Sequence, residues 1–225
     1  QKATAAARTT GLRLFFWSMA RAYFILFHRL TIHGKNNLPR RPPYILIANH
    51  TSHWDVFALL LALPVPLRDR TLPIAAGDIF FTSAATSTVA AVMLNALPMW
   101  RKKSAVAHAL NLLRDRLAEG ACGYILFPEG KRSRDGSMDR FKAGVGMLVC
   151  GTDVPVVPCF IKGAFEAFPT FRLPRPGRIT VVIGEPVRFA SLPNDKLGWR
   201  EAAQRLEELV SKLHSLFVPE DALSG

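Results

Sequence analysis

The chain has only three cysteines, and their placement excludes the usual structural uses of this residue. Cys122, Cys150 and Cys159 are odd in number, lie within or beside apolar runs and show no metal-ligand spacing. These features exclude a disulfide framework and a cysteine metal site. Free cysteine is commonly buried as a small apolar residue, so we interpret all three as core residues of a reduced protein that faces the cytosol.

The sequence also lacks an uninterrupted apolar run of membrane-spanning length. Residues 12–30 come nearest, but Arg13, Arg21, His28 and Arg29 interrupt them. A central arginine costs about 2.5–3.5 kcal/mol in a spanning helix. Many aromatic residues beside arginines are typical of a helix that lies in the membrane interface, and this is our interpretation. The alternative is an N-terminal helix that packs on the protein core.

Acidic residues are scarce relative to basic ones. The chain holds 17 acidic and 29 basic residues, a formal charge of +12, with a pI near 10.3. Such an excess indicates an anionic partner: nucleic acid, an acidic membrane surface, an acidic carrier protein or a phosphorylated substrate. No nucleic-acid-binding motif is present and the basic residues are dispersed, so we predict an anionic membrane surface as a partner and no nucleic acid.

Short apolar runs alternate with longer amphipathic ones along most of the chain. The sequence predicts strands at 44–48, 72–76, 123–127, 154–161 and 178–184, and helices at 56–63, 104–119, 140–150 and 197–216. Several strand-like runs are apolar throughout, which is typical of strands covered on both faces. The alternation predicts one α/β domain over residues 31–225, with helices flanking a largely buried sheet, preceded by the interfacial helical segment of residues 1–30.

His50 and Asp55 stand just after the predicted strand 44–48. Five positions on a helix place two side chains about 140° apart, and on a strand they face opposite sides, so the pair meets only if the chain turns. The polar residues 49–52 favour a turn, and active sites of α/β folds commonly lie there. Asp55 could then fix the tautomer of His50, a candidate general base. Alternatively, Asp55 only caps the following helix.

A charged loop with a glycine follows the predicted strand 123–127. Its candidate binding residues are Glu129, Gly130, Lys131 and Arg132. Glycine permits close backbone approach, the cations could grip a phosphate, and the glutamate could accept a hydrogen bond from a substrate hydroxyl. A second cationic cluster begins at Arg101, at the end of another apolar run. For both clusters the alternative is a solvated charged surface.

In order and spacing, these stretches resemble the motifs of the lysophosphatidic acid acyltransferase (1-acylglycerol-3-phosphate O-acyltransferase) family. Residues 49–55 resemble its first motif, a histidine and an aspartate separated by four residues, and residues 127–133 resemble its third. Residues 98–101 are similar to the second motif, which ends in an arginine, and residues 154–158 to the fourth. The agreement extends from about residue 30 to about residue 190.

The resemblance implies a layered α/β domain like that of glycerolipid acyltransferases, with a membrane-associated N-terminal helical segment. It implies transfer of a fatty acyl group from a thioester, acyl-CoA or acyl carrier protein, to the hydroxyl of a lysophospholipid. The acceptor we expect is 1-acylglycerol 3-phosphate, which gives phosphatidic acid, and we expect no cofactor and no metal. We predict a peripheral or monotopic location at the cytoplasmic face of a membrane.

By the same resemblance, His50 is the general base and Asp55 orients it. Glu129, Gly130 and Arg132 would hold the acceptor, and Arg101 its phosphate. From the loop itself we add Lys131 as a binding residue. Two departures leave the acceptor's identity open. Lys131 stands where the family usually has a threonine, and Gly77-Asp78 stands where it often has a lysine.

Other functions stay open at this point. An esterase or thioesterase that uses Ser52 is disfavoured, because the chain has no Gly-x-Ser-x-Gly nucleophile elbow. An acyltransferase for a different lysolipid or alcohol is a second alternative. A non-catalytic protein that binds anionic membranes is the third.

Overall fold

A seven-stranded sheet forms the centre of the molecule. The computed structural model describes residues 2–76, 94, 96–99, 103–168 and 173–217. Helices pack on both faces of the sheet and form two apolar cores. This arrangement confirms the predicted α/β class, in which helices flank a largely buried sheet.

The elements alternate along the chain much as predicted. The strands are β1 (Thr31–His33), β2 (Tyr44–Ala48), β3 (Thr71–Ala76), β4 (Leu97–Met99), β5 (Gly123–Leu126), β6 (Val156–Lys162) and β7 (Thr180–Ile183). The helices are α1 (Lys2–Leu26), α2 (Asp55–Ala62), α3 (Val65–Arg68), α4 (Lys103–Ala118), α5 (Gly144–Val149), α6 (Ala164–Ala167) and α7 (Lys196–Phe217). A short 3-10 turn occupies Lys35–Asn37.

The central strand of the sheet is β2. The strand order is β1-β7-β6-β2-β5-β3-β4, and β2 pairs in parallel with both β5 and β6. Among the strand pairs that the structure describes, only β6–β7 is antiparallel. The carboxyl ends of β2, β5 and β6 therefore meet at one edge of the sheet, which we call the carboxyl edge.

The packing of β2 explains why its sequence is apolar at every position. Tyr44, Leu46 and Ala48 face the core that contains α1 and α2, whereas Ile45 and Ile47 face the core that contains α4, α5 and α7. Successive side chains of a strand point to opposite faces, so a strand covered on both sides is apolar throughout.

Two strands were not predicted, and one helix is shorter than predicted. β1 and β4 have three residues each, and β4 contains Pro98, which is unusual within a strand. The helix predicted at 140–150 begins only at Gly144. The residues before it run as a non-helical segment in which the N–H groups of Phe141 and Lys142 donate to Glu207 and Pro128.

Helix α1 packs one face on the domain and exposes another. Trp17 and Phe24 are buried against Phe57 of α2. This face of the helix therefore packs on the protein core, as the alternative interpretation predicted. The opposite face exposes a row of apolar side chains at helical spacing. These are Leu12 (55% exposed), Phe15 (65%), Met19 (52%) and Leu26 (82%). Within the described part of the chain, none of the helices has the length and hydrophobicity needed to span a bilayer.

Gly146 lets α5 pack directly on the backbone of α7. A Cβ at Gly146 would collide with the Cα of Trp199 and would lie 2.6 Å from its carbonyl oxygen. Because these are backbone atoms, one helix would have to move. We expect Gly146→Ala to lower the free energy of unfolding by about 1–3 kcal/mol, as overpacking typically does, when measured by urea denaturation.

Gly11→Ala is the matched control. Apart from the backbone of its own helix and its chain neighbours, no atom lies within 4 Å of a Cβ at Gly11, which is in α1. Alanine favours a helix over glycine by up to about 1 kcal/mol, so this variant should be as stable as the wild type or more stable. Equal stability of the two variants would contradict the close packing of α5 on α7.

Candidate active site

The two motifs singled out in the sequence lie side by side at the carboxyl edge. β2 and β5 are parallel neighbours, with Ile47 in register with Leu126. The chain leaves β2 at Asn49 and leaves β5 at Phe127, so both loops start from this edge. Ligand sites of open α/β sheets characteristically lie outside the carboxyl ends of the strands.

The side chains of His50 and Asp55 meet across a tight turn. Nδ1 of His50 lies 3.0 Å from Oδ2 of Asp55. The same oxygen accepts the backbone N–H of Thr51 at 2.7 Å and of Ser52 at 2.8 Å. An oxygen that accepts from two backbone donors also accepts from the imidazole, so Nδ1 donates and Nε2 carries the free lone pair. Asp55 is fully buried, whereas the His50 side chain is 17% exposed.

Contacts from both neighbouring strands hold His50 in place. Its ring stacks on that of Phe127, with centroids 4.1 Å apart and planes 18° from parallel. The buried amide of Asn49 continues the pairing of β2 with β6. Its Nδ2 donates to the carbonyl of Ile161 at 2.9 Å, and its Oδ1 accepts the N–H of the same residue at 2.8 Å. The imidazole is therefore positioned by packed strands and not by a free loop.

The carboxylate of Glu129 joins the two loops. It is 1% exposed, and its oxygens accept the backbone N–H of His50 at 2.6 Å and of Asp139 at 3.0 Å. The N–H of Ser133 donates to the carbonyl of His50 at 2.8 Å, so the backbone of His50 is bonded on both sides to the loop after β5. A substrate hydroxyl would have to compete with these backbone donors for Glu129.

Burial governs the ionisation of two groups at this edge. Burial raises the pKa of Glu129 to about 7, although hydrogen bonds from the backbone of Asp139 and His50 lower it. The pKa of His53 is lowered to about 4, mainly by burial and also by interaction with Arg132 and His50. His53 is therefore neutral at physiological pH, and Arg132 lies near enough to act on it.

Three of the other predicted binding residues, Gly130, Lys131 and Arg132, lie in the loop after β5. Lys131 is exposed and pairs with Asp139, its ammonium 2.8 Å from the carboxylate. Gly130 has a φ of 71°, in the left-handed region that disfavours any side chain. Arg101 lies outside the described residues, and so does Gly77-Asp78.

Ser52 is badly placed for a nucleophile. It is 4% exposed, its N–H donates to Asp55, and its Oγ accepts the N–H of Trp54 at 3.3 Å. A serine nucleophile needs an exposed hydroxyl beside a base. The geometry therefore gives no support to the esterase alternative.

Three residues at this edge were not singled out from the sequence. Asn49 follows a buried strand directly. A buried polar side chain at such a position needs hydrogen-bond partners, which could have indicated a bond to a neighbouring strand. Asp139 bonds Glu129 and Lys131, and Lys142 lies with its side chain against Gly130. No local pattern marks Asp139 or Lys142, because both reach the site from a segment downstream of the loop.

Comparison with known sequences shows the family of the chain. The sequence model of the Acyltransferase family matches residues 29–162, more than half of the chain, and the match includes both loops at the carboxyl edge. The chain belongs to this acyltransferase family.

Individual relatives are 1-acyl-sn-glycerol-3-phosphate acyltransferases. The chain is 33% identical to one from Chlamydomonas reinhardtii over 165 residues, 70% of this chain and 46% of that protein. It is 26% identical to the alpha enzyme of Mus musculus over 170 residues, 74% of this chain and 58% of that protein. The chain thus spans about half the length of these relatives.

A solved structure extends the similarity to almost the whole fold. The crystal structure of the 1-acyl-sn-glycerophosphate (LPA) acyltransferase PlsC from Thermotoga maritima aligns with a TM-score of 0.66 and 25% sequence identity. The alignment covers 92% of this chain and 82% of that one.

The raised pKa of Glu129 predicts how stability depends on pH. The folded state holds the proton of this carboxyl up to about pH 7, whereas the ordinary value is 4.5. The stabilisation from Glu129 is therefore complete below its ordinary pKa and is lost as the pH rises through about 7. We expect the free energy of unfolding of the wild type to fall from about pH 5 to about pH 8, relative to that of Glu129→Gln, in urea denaturation.

Glu185→Gln is the control for this experiment, because residue 185 is exposed. It should keep the pH dependence of the wild type. If Glu129→Gln also keeps it, the carboxyl of Glu129 does not titrate in this range.

Proposed function

We propose that the protein transfers a fatty acyl group from an acyl thioester to the free hydroxyl of a lysophospholipid, with His50 as general base. The observation that carries this proposal is the contact between His50 Nδ1 and Asp55 Oδ2, at the edge where the Glu129 loop is bonded to the backbone of His50. The acceptor we propose is 1-acylglycerol 3-phosphate, the substrate named for the relatives. The product is then phosphatidic acid.

The proposed reaction is a direct transfer with no acyl-enzyme intermediate. Nε2 of His50 removes the proton of the acceptor hydroxyl, whose oxygen attacks the thioester carbonyl. A carbon–oxygen bond forms, the carbon–sulfur bond breaks, and the imidazolium returns the proton to the leaving thiolate. Asp55 stabilises the imidazolium while it exists, through the hydrogen bond at Nδ1.

The loop after β5 is the proposed acceptor site. We assign binding of the acceptor to Glu129, Gly130, Lys131 and Arg132, and binding of its phosphate to Arg101. Support comes from the position of this loop against His50 and from the proximity of Arg132 to His53. Because both oxygens of Glu129 accept backbone N–H groups, we propose that Glu129 acts mainly by shaping the site around the acceptor.

His50→Ala tests the assignment of the general base. We expect turnover to fall by roughly 10²–10⁴-fold, because removal of a general base costs about this much. The assay presents 1-acylglycerol 3-phosphate with acyl-CoA and, separately, with acyl carrier protein thioester, and the product is measured by mass spectrometry. A panel of other lysolipids and alcohols tests the alternative acceptors.

His108→Ala is the matched control, because His108 is exposed on α4 and belongs to neither loop at this edge. It should leave turnover unchanged. Near wild-type turnover of His50→Ala would refute the mechanism, and a wild type inactive on every acceptor would favour a non-catalytic membrane-binding protein.

We further propose that residues 1–30 attach the domain of residues 31–225 to an anionic membrane surface. The exposed row on α1 provides apolar side chains for the acyl region of one leaflet. A groove beside this helix is basic: Arg40, Arg41 and Arg70 line it together with Asp69, which Arg13 of α1 contacts at 3.4 Å. Arginines flanking an apolar helix face suit anionic headgroups, so we propose a peripheral or monotopic location at the cytoplasmic face.

Replacing the exposed row tests this attachment. We expect the triple variant Phe15→Gln, Met19→Gln, Leu26→Gln to partition at least about tenfold less into vesicles that contain anionic lipid, because it removes apolar area from the membrane contact. Vesicle flotation measures the bound fraction.

The control variant carries Leu112→Gln, Leu197→Gln and Leu216→Gln, three apolar residues that are exposed on other helices. It should float like the wild type. Equal loss in both triple variants, or loss in neither, would contradict attachment through α1.

A further inference from the structure

The loop at the carboxyl edge carries several charges, and some of them have partners. Lys131 pairs with Asp139. Asp135 accepts hydrogen bonds from Ser137 and Ser133, and these bonds lower its pKa to about 2. Both carboxylates therefore already have partners within the loop.

The ammonium of Lys142 lies against Gly130 of this loop. A Cβ on Gly130 would lie 2.5 Å from its Nζ, 3.2 Å from its Cε and 3.3 Å from its Cδ, so the end of the lysine occupies the space that a side chain at position 130 would fill. Its backbone N–H donates to the carbonyl of Pro128 at 3.0 Å, which anchors the residue to the same loop.

The charge on Lys142 has no carboxylate partner among the residues that the structure describes, in contrast to that of Lys131. The residue is exposed, so its ammonium is open to a ligand. An unneutralised lysine over the backbone of Gly130 can meet an anionic group that approaches the loop. A phosphate is the group of this kind that the proposed acceptor carries.

We infer that Lys142 binds the phosphate of the acceptor above Gly130 and thereby selects phosphate-bearing lysolipids. This inference rests on the proposed function and names a residue that the motifs leave out. It also explains the glycine at position 130 by a second requirement besides its φ, because any side chain there would displace the ammonium.

The test compares acceptors with and without a phosphate. In Lys142→Met, the dissociation constant for 1-acylglycerol 3-phosphate, measured without donor, should rise by about 10–100-fold, the loss typical of a hydrogen bond to a charged group. The constant for 1-acylglycerol, which lacks the phosphate, should not change. Lys142→Arg should restore most of the affinity, and the KM for the thioester donor should stay as in the wild type.

Lys212→Met is the control, because Lys212 is exposed on α7. An equal change for both acceptors, no change for either, or a change confined to the donor KM would overturn the assignment of Lys142. If the assignment of Lys142 is overturned but His50→Ala is inactive in the same assays, the proposed function is still supported. If His50→Ala is fully active while Lys142→Met discriminates the two acceptors, the mechanism fails and the phosphate site stands.

Discussion

The buried carboxylate of Glu129 is the contact on which the geometry of the carboxyl edge depends. Parallel pairing brings the ends of β2 and β5 to within about 4.8 Å of each other, but it does not hold the loops that follow. Glu129 bonds the backbone of His50 on one side and that of Asp139 on the other, and Ser133 adds a second bond to the backbone of His50. The histidine turn and the cationic loop are thereby one hydrogen-bonded unit.

The contacts of His50 hold its imidazole in place and leave part of the ring exposed. Asp55 is fully buried and accepts hydrogen bonds from the turn that it closes, so its position is fixed by the backbone. The imidazole is held by that carboxylate and by the ring of Phe127, and one edge stays partly exposed. For the general base that we propose, such an arrangement would fix its direction before any ligand arrives and would lower the entropic cost of reaching a reactive geometry.

Helix α1 shows how one apolar segment can meet two requirements. Trp17 and Phe24 close the core over α2, and the opposite face leaves a row of apolar side chains in the open. A sequence that is apolar on nearly all sides of a helix does not distinguish these two faces, since both are rich in leucine and phenylalanine. Only the docking of the helix decides which side chains are covered.

By itself, the sequence determined the features that depend on short-range patterns. The unbroken apolar run of β2 predicted a strand covered on both faces, and the polar turn after it predicted that His50 and Asp55 could meet, since only five positions separate them. Tertiary structure decided the rest. The partner of Glu129 stands 79 positions away, and Lys142 reaches Gly130 from the segment before α5. Contacts at such separations follow from how strands and helices pack, and no local periodicity encodes them.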